Sequence, residues 1–163
     1  MNQLFPGDTY KLYFDRTKGT IYGFLTLQKI VGGKAIKIFN RLPCASGQSG
    51  YTNGGDQDWI RGKGPTPFGK HWVSTKSEPL QMSPVGTRFY VISTIQGDRS
   101  IEGGSGRQRL DRGLHLDNAF PGSAGCIALR NSTKESNKLS NELFDFLDVL
   151  YVQGIHYIEL EVL

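Results

Sequence analysis

Apolar and polar residues alternate over short stretches along most of the chain, which is the pattern of half-buried β-strands. These stretches are rich in aromatic and β-branched residues, and strands are predicted at 10–14, 20–28, 71–73 and 88–95. Gly32 and Gly33 form a two-residue turn signal inside the alternating segment 30–39, so we expect a β-hairpin there.

One helix is predicted, near the carboxyl end. Ser132 and Glu135 have the spacing of a capping box, and Gly154 is a typical helix stop. Between them, one 3.6-period face carries Leu139, Leu143, Phe146, Leu147 and Leu150. Alternation resumes over 158–162 and predicts a closing strand. The whole pattern indicates one compact α+β domain over 1–163 that is mainly β.

Two segments lack any hydrophobic period. The segment 40–64 is rich in glycine, proline and serine, and we expect a long loop there. The segment 97–112 (GDRSIEGGSGRQRLDR) is expected to be an irregular insertion. It is either a solvated surface excursion or a flap that faces a substrate.

Composition agrees with a loop-rich β domain and narrows the partners. Glycine supplies 21 of the 163 residues, well above the usual ~7%. The net charge of +4 suits an anionic partner, but no basic cluster with interleaved aromatic residues predicts nucleic-acid binding. No apolar stretch reaches the ~18 residues of a membrane span. The start of the chain has no signal-peptide pattern, so we expect none in this chain.

The segment 113–131 carries the candidate chemistry. His115 precedes Cys126 by eleven residues, and the Pro121, Gly122 and Gly125 between them allow the chain to fold back. An imidazole that takes the thiol proton would activate the cysteine as a thiolate–imidazolium pair that is open to solvent. Backbone amides around Gly125 would then form an oxyanion hole.

The residues leave other interpretations of these cysteines open. A cysteine followed by Ile-Ala-Leu is also typical of an inert core thiol, and Cys44 and Cys126 have no spacing that decides whether they form a disulfide. No ligand spacing for a metal site is present, and no cofactor is predicted.

A known family has a similar pattern of residues. The stretch 121–131 (PGSAGCIALRN), preceded by His115, resembles the active-site signature of the L,D-transpeptidase (YkuD-type) catalytic domain. The residues that match in register are Ser123, Gly125, Cys126, Ile127 and Asn131. The stretch 64–73 (GPTPFGKHWV) and the earlier hairpin are similar to further parts of that domain. The resemblance covers roughly 20–163 and is strongest over 64–131.

The resemblance implies an L,D-transpeptidase-like β-sandwich or barrel and acyl transfer on peptidoglycan stem peptides through a Cys126 thioester. His115 would act as the base, with the backbone carbonyl of Leu116 orienting its imidazole. Transfer to an amine would be transpeptidation, and transfer to water would be carboxypeptidase or endopeptidase activity. The expected place of action is the cell wall, in the periplasm, outside the cell or on a virion.

The chain departs from the family at three positions. Ala128 stands where the family has an arginine, Leu116 follows the histidine in place of glycine, and Ala124 replaces a larger residue. Such variants resemble phage-associated or secreted-effector branches. Several arginines are candidates for the missing substrate anchor: Arg130, or Arg107, Arg109 and Arg112 in the insertion. The full set of expected substrate-binding residues is Ser123, Arg130, Asn131, Tyr51 and Trp59.

Two other functions fit the same residues. One is a non-catalytic wall-binding or virion structural module that keeps the fold, and the other is a cysteine peptidase that acts on proteins. Tyr51 and Trp59 likewise either cover a substrate groove or pack locally in their loop.

Overall fold

The computed structural model describes residues 8–17, 19–79, 88–117, 123 and 125–163. The elements are β1 Thr9–Arg16, β2 Tyr22–Val31, β3 Lys34–Ser46, β4 Gly69–Ser74, β5 Tyr90–Ser93, β6 Ser100–Glu102, β7 Gln108–Leu110, β8 Arg112–Leu116, β9 Ile127–Leu129, α1 Lys134–Val152 and β10 Tyr157–Val162. Eight strands of this part close into a barrel in the order β1-β10-β4-β5-β8-β9-β3-β2, and β6 pairs with β7 in a separate two-stranded sheet. The expectation of a mainly β α+β fold is confirmed.

The barrel closes where the two ends of the chain meet. β1 is antiparallel to β2 on one side and parallel to β10 on the other, where Leu12 lies beside Leu160. Because side chains alternate along a strand, one face of each strand fills the barrel. The inward residues of β1 and β10 are Tyr10, Leu12, Phe14, Ile158, Leu160 and Val162. The predicted hairpin, with its turn at Gly32 and Gly33, joins β2 to β3.

Helix α1 lies where the apolar period places it, and its first residue differs by one from the expected position. The capping box uses Thr133 and Ser136, because Thr133 is extended and its hydroxyl accepts the Ser136 N–H at 3.0 Å. Gly154 follows the helix with a φ of 88°, as a helix stop requires. The helix packs on the core through Leu143, Phe144, Leu147 and Leu150. Among the described residues, no helix has the length and apolarity to cross a membrane.

The expectation of a loop from residue 40 is wrong for its first part. β3 continues to Ser46, because it pairs with β2 on one edge and with β9 on the other. Pro43 does not interrupt it: proline lacks an N–H, but its carbonyl accepts the Arg130 N–H at 3.0 Å. The connection that follows contains a 3₁₀ turn at Gly55–Trp59.

The expectation of an irregular insertion at 97–112 is also wrong. β6 and β7 form a hairpin in which Ile101 pairs with Arg109, and β8 begins at Arg112. Ile101 is 0% exposed and Arg109 is 2% exposed, so the segment is not a wholly solvated excursion. The segment therefore buries the charged side chain of Arg109.

Candidate active site

Cys126 and His115 lie on the same outer face of the barrel. β8 and β9 are parallel, with Leu114 beside Ile127, and both of these side chains fill the core. Cys126, the residue before Ile127, therefore lies beside Gly113 when this register is continued by one residue. Since side chains alternate, Cys126 and His115 share the opposite face as diagonal neighbours. Phe89 lies against both, because its ring stacks on His115 and it packs with Cys126 in a small apolar cluster. A direct contact between the imidazole and the thiol stays a prediction.

The imidazole of His115 is held in one tautomer. Its Nδ1 lies 2.7 Å from the carbonyl oxygen of Leu116, and a carbonyl can only accept, so Nδ1 carries the proton. The ring stacks on Phe89, with centroids 6.1 Å apart, and the residue is 8% exposed. Burial lowers the pKa of His115, which leaves a neutral ring whose Nε2 can accept a proton.

The thiol of Cys126 is mostly enclosed. The residue is 8% exposed and packs in a small apolar cluster with Phe89. Burial raises the pKa of Cys126, against the opposing effects of the Gly113 N–H and the Arg112 guanidinium. The free protein therefore holds a neutral thiol and a neutral imidazole on this face. This differs from the expected open thiolate–imidazolium pair, because desolvation disfavours both charged forms.

Gly125 occupies a position that only glycine fills. Its φ is +111°, and a Cβ there would lie 2.2 Å from Nη2 of Arg109 and 2.8 Å from the Gly64 carbonyl oxygen. Its own carbonyl accepts a hydrogen bond of 2.7 Å from the Thr66 hydroxyl. The N–H and C=O of one trans peptide point in opposite directions. The Cys126 N–H is thereby directed away from Thr66, as an oxyanion-hole donor would need to be.

Ser123 organises the backbone around the cysteine. Its hydroxyl donates to the Cys126 carbonyl at 2.5 Å and accepts the N–H groups of Gly125 at 3.3 Å and of Gly47 at 3.4 Å. Its expected contact with substrate stays a prediction. The neighbouring Pro121, Gly122 and Ala124, on which the fold-back of the chain was predicted, lie outside the described residues.

Two of the four candidate arginines adjoin the thiol. Arg109 donates to the backbone carbonyls of Asp58 and Gly64, and burial, followed by the charge of Arg112, lowers the pKa of Arg109 to about 10. Nε of Arg112 would lie 3.0 Å from a Cβ on Gly125. The β6–β7 hairpin and the start of β8 thus bring two guanidinium groups to the backbone beside Cys126.

The other two candidate arginines are engaged elsewhere. Arg107 forms an ion pair with Asp56 at an exposed position. Arg130 lies over the ring of Tyr22, 4.6 Å from its centroid. Of the four candidates, Arg109 and Arg112 are thus the ones near Cys126, and the role of any of them as a substrate anchor stays a prediction.

Three further predicted residues have local contacts that the structure defines. Asn131 accepts a hydrogen bond from Asn137 at the start of α1. The Tyr51 hydroxyl accepts from Lys63 at 3.1 Å. The Trp59 ring lies against Gly103, where a Cβ would be 2.5 Å from it. Their roles in binding substrate stay predictions.

A buried polar network beneath the site was missed from the sequence. Arg16 pairs with the Asp58 carboxylate at 2.9 Å and donates to the Thr66 carbonyl at 2.9 Å. The Thr66 N–H donates to Ser46 at 2.9 Å, while the Thr66 hydroxyl reaches Gly125. The only sequence signal for Thr66 is its place in the stretch 64–73. Nothing local marks Arg16 or Asp58, which are 42 residues apart.

The chain has no detectable similarity that would assign this site. No family model, no curated protein and no solved structure matches it. Within the described ranges, no three His, Cys, Asp or Glu side chains cluster as metal ligands, and both Cys44 and Cys126 are free thiols. The chemistry of the site therefore has to be argued from its own geometry.

Proposed function

We propose that the protein is a cysteine acyltransferase of L,D-transpeptidase-like fold that acts on peptidoglycan stem peptides. The observation that carries the proposal is the hydrogen bond from His115 Nδ1 to the Leu116 carbonyl, with Cys126 on the same face of the sheet. This arrangement leaves Nε2 as a proton acceptor on the face that carries the thiol, which supports nucleophilic catalysis by the cysteine.

The reaction would begin with proton transfer from the Cys126 thiol to Nε2 of His115. The sulfur attacks the carbonyl carbon at the L-centre of the third stem residue, and the resulting oxyanion is held by the backbone N–H of Cys126. The predicted contribution of Gly125 is to shape this turn, because its own N–H already donates to the Ser123 hydroxyl. Collapse of the tetrahedral intermediate breaks the amide bond. The leaving D-alanine amine takes the proton from His115, and a thioester remains on the enzyme.

The thioester is then passed to a second substrate. Attack by an amine of another stem peptide makes a crosslink, and attack by water completes a carboxypeptidase or endopeptidase cycle. In both cases Nε2 of His115 accepts the proton of the incoming nucleophile and returns it to the sulfur. The net charge of +4 supports action at the cell wall, which carries many carboxylates and phosphates.

A non-catalytic wall-binding or virion structural module is the second candidate. The observation that favours it is the 8% exposure of Cys126, since an enclosed neutral thiol is also typical of a cysteine that only packs. The two candidates differ in whether the thiol reacts with wall peptides at all.

Mass spectrometry of purified peptidoglycan after incubation with the protein tests the proposal. The wild type is expected to remove D-alanine, open crosslinks or form new ones, each of which has its own mass change. Cys126→Ala should give none of these products. Cys44→Ala is the matched control, because Cys44 is a buried core thiol on the inner face, and it should retain activity. No product from a folded wild-type protein would favour the structural module.

A further inference from the structure

Arg112 places a guanidinium beside the thiol without pairing with a carboxylate among the described residues. Its Nη1 is 3.4 Å from the backbone oxygen of Asp111, while the carboxylate of Asp111 pairs with Arg99 at 2.8 Å. In the part of the chain that the structure describes, Nε of Arg112 is buried and lacks a hydrogen-bond partner. A buried donor of this kind is satisfied when an anion forms next to it.

The anion that can form there is the sulfur of Cys126. The buried Nε of Arg112 lies beside Gly125, the residue before Cys126, only 3.0 Å from where a Cβ would stand. The Arg112 guanidinium and the N–H of Gly113, the next residue of β8, both act to lower the pKa of the Cys126 thiol. A neutral thiol is a weak acceptor, whereas a thiolate accepts strongly from both donors. Ionisation of the sulfur would therefore complete a set of interactions that the resting protein leaves incomplete.

We propose that Arg112 is a catalytic residue, the counter-cation of the Cys126 thiolate, so that a guanidinium and a backbone N–H hold the ionised sulfur in place of an imidazolium. The inference rests on the proposed function, because only a nucleophilic cysteine needs a stabilised thiolate. Arg109 adds positive charge from β7, with its own N–H groups bound to backbone carbonyls. His115 is then neutral in the resting protein and takes the thiol proton only when the reaction begins.

This division of roles follows from the charges that face the sulfur. Arg112 and Arg109 both bring positive charge toward the sulfur, and His115 is the histidine on the same face. An imidazolium at His115 would add a third positive charge to an enclosed site that already holds two. Burial lowers the pKa of His115, in agreement with a ring that accepts the proton only during the reaction.

Alkylation of the free protein by iodoacetamide, followed against pH, measures thiolate formation without any wall substrate. The sulfur forms a bond to the reagent carbon, the C–I bond breaks, iodide leaves and the thiol proton goes to the buffer. Peptide mass mapping separates Cys126 from Cys44. We expect Arg112→Gln to raise the midpoint of the pH profile by about one unit or more, a tenfold slower reaction below both midpoints. His115→Gln should move the midpoint less.

The matched control is Arg107→Gln, which removes an exposed arginine of the same segment and should leave the profile unchanged. Arg112→Lys keeps the charge but loses the planar donor group, and we expect a smaller increase of the midpoint in the same direction. If Arg112→Gln does not fold, Arg112→Met, which also removes the charge, takes its place. An unchanged profile in the folded uncharged variant, or a larger change in His115→Gln than in that variant, would overturn the proposal.

The result is separable from that of the wall assay. A profile that depends on Arg112 together with no product from peptidoglycan would reject the proposed substrate and keep the thiolate assignment. Products from peptidoglycan together with a profile that is insensitive to Arg112 would reject the assignment and keep the proposed function.

Discussion

The hydroxyl of Thr66 donates a 2.7 Å hydrogen bond to the carbonyl oxygen of Gly125, the residue before the candidate nucleophile. Thr66 is 0% exposed, and its backbone is fixed in turn by Ser46 and Arg16. The peptide that carries the Cys126 N–H is therefore oriented from inside the protein. Each link of this network can be removed separately.

Thr66→Val should destabilise the protein by about 1–3 kcal/mol, because it keeps the shape of the side chain and leaves the buried Gly125 carbonyl without its donor. Urea unfolding gives the free energy. Thr66→Ser, which retains the hydroxyl, is expected to be closer to wild type. Equal stability of the valine and serine variants would show that the hydrogen bond contributes little.

Gly125→Ala should cost about 2–5 kcal/mol and abolish alkylation of Cys126. A Cβ would lie 2.2 Å from the Arg109 guanidinium, at a φ of +111° that side chains rarely adopt. Gly50→Ala is the control, since Gly50 has a φ of +88° and no atom within 4 Å of the added carbon. Thermal unfolding of both variants separates backbone strain from the steric clash.

Asp58→Asn should destabilise the protein by about 3–5 kcal/mol, because it leaves the charge of Arg16 buried and unpaired. The Asp15–Arg41 pair, 3.6 Å apart and exposed, offers the comparison: Asp15→Asn should cost less than about 1 kcal/mol. Denaturant unfolding of each variant measures these two changes in the free energy of unfolding. A small effect of Asp58→Asn would mean that the Thr66 carbonyl alone can hold the guanidinium.

The stability of the protein should fall as the pH drops from about 7 toward 5. Burial lowers the pKa values of His115 and His71 in the folded state, so the unfolded chain binds more protons in this range. The contribution of these two histidines to the free energy of unfolding is complete above the ordinary histidine pKa of about 6.5 and is lost as the pH falls below it. Melting temperatures measured across this range test the sign.

Single substitutions show which histidines cause the pH dependence of stability. His115→Gln and His71→Gln should each flatten the curve, because each removes one group that takes up a proton on unfolding. His156→Gln changes an exposed histidine and serves as the control. If the melting temperature of both His115→Gln and His71→Gln falls with pH as steeply as that of the wild type, these two histidines are not the cause of the pH dependence.

Local patterns were enough to predict the elements that depend on near neighbours. The Gly32–Gly33 hairpin, the apolar face of α1 and the alternating strand β10 agree with the structure, since turn conformation and side-chain period are set within a few residues. The pairing of His115 with Cys126 stays a prediction from their spacing and the motif around them, and the register of β8 and β9 places both on one face of the sheet.

What the sequence alone determined was therefore a β-rich domain with one helix and a candidate cysteine. Only the tertiary structure decided that β3 runs through Pro43, that the segment 97–112 forms a hairpin, and that Arg112 lies beside Gly125, the residue before the thiol. In each case the stabilising partner is distant along the chain or belongs to another strand. Burial of the site, which neutralises both the thiol and the imidazole, is likewise a property of the assembled fold.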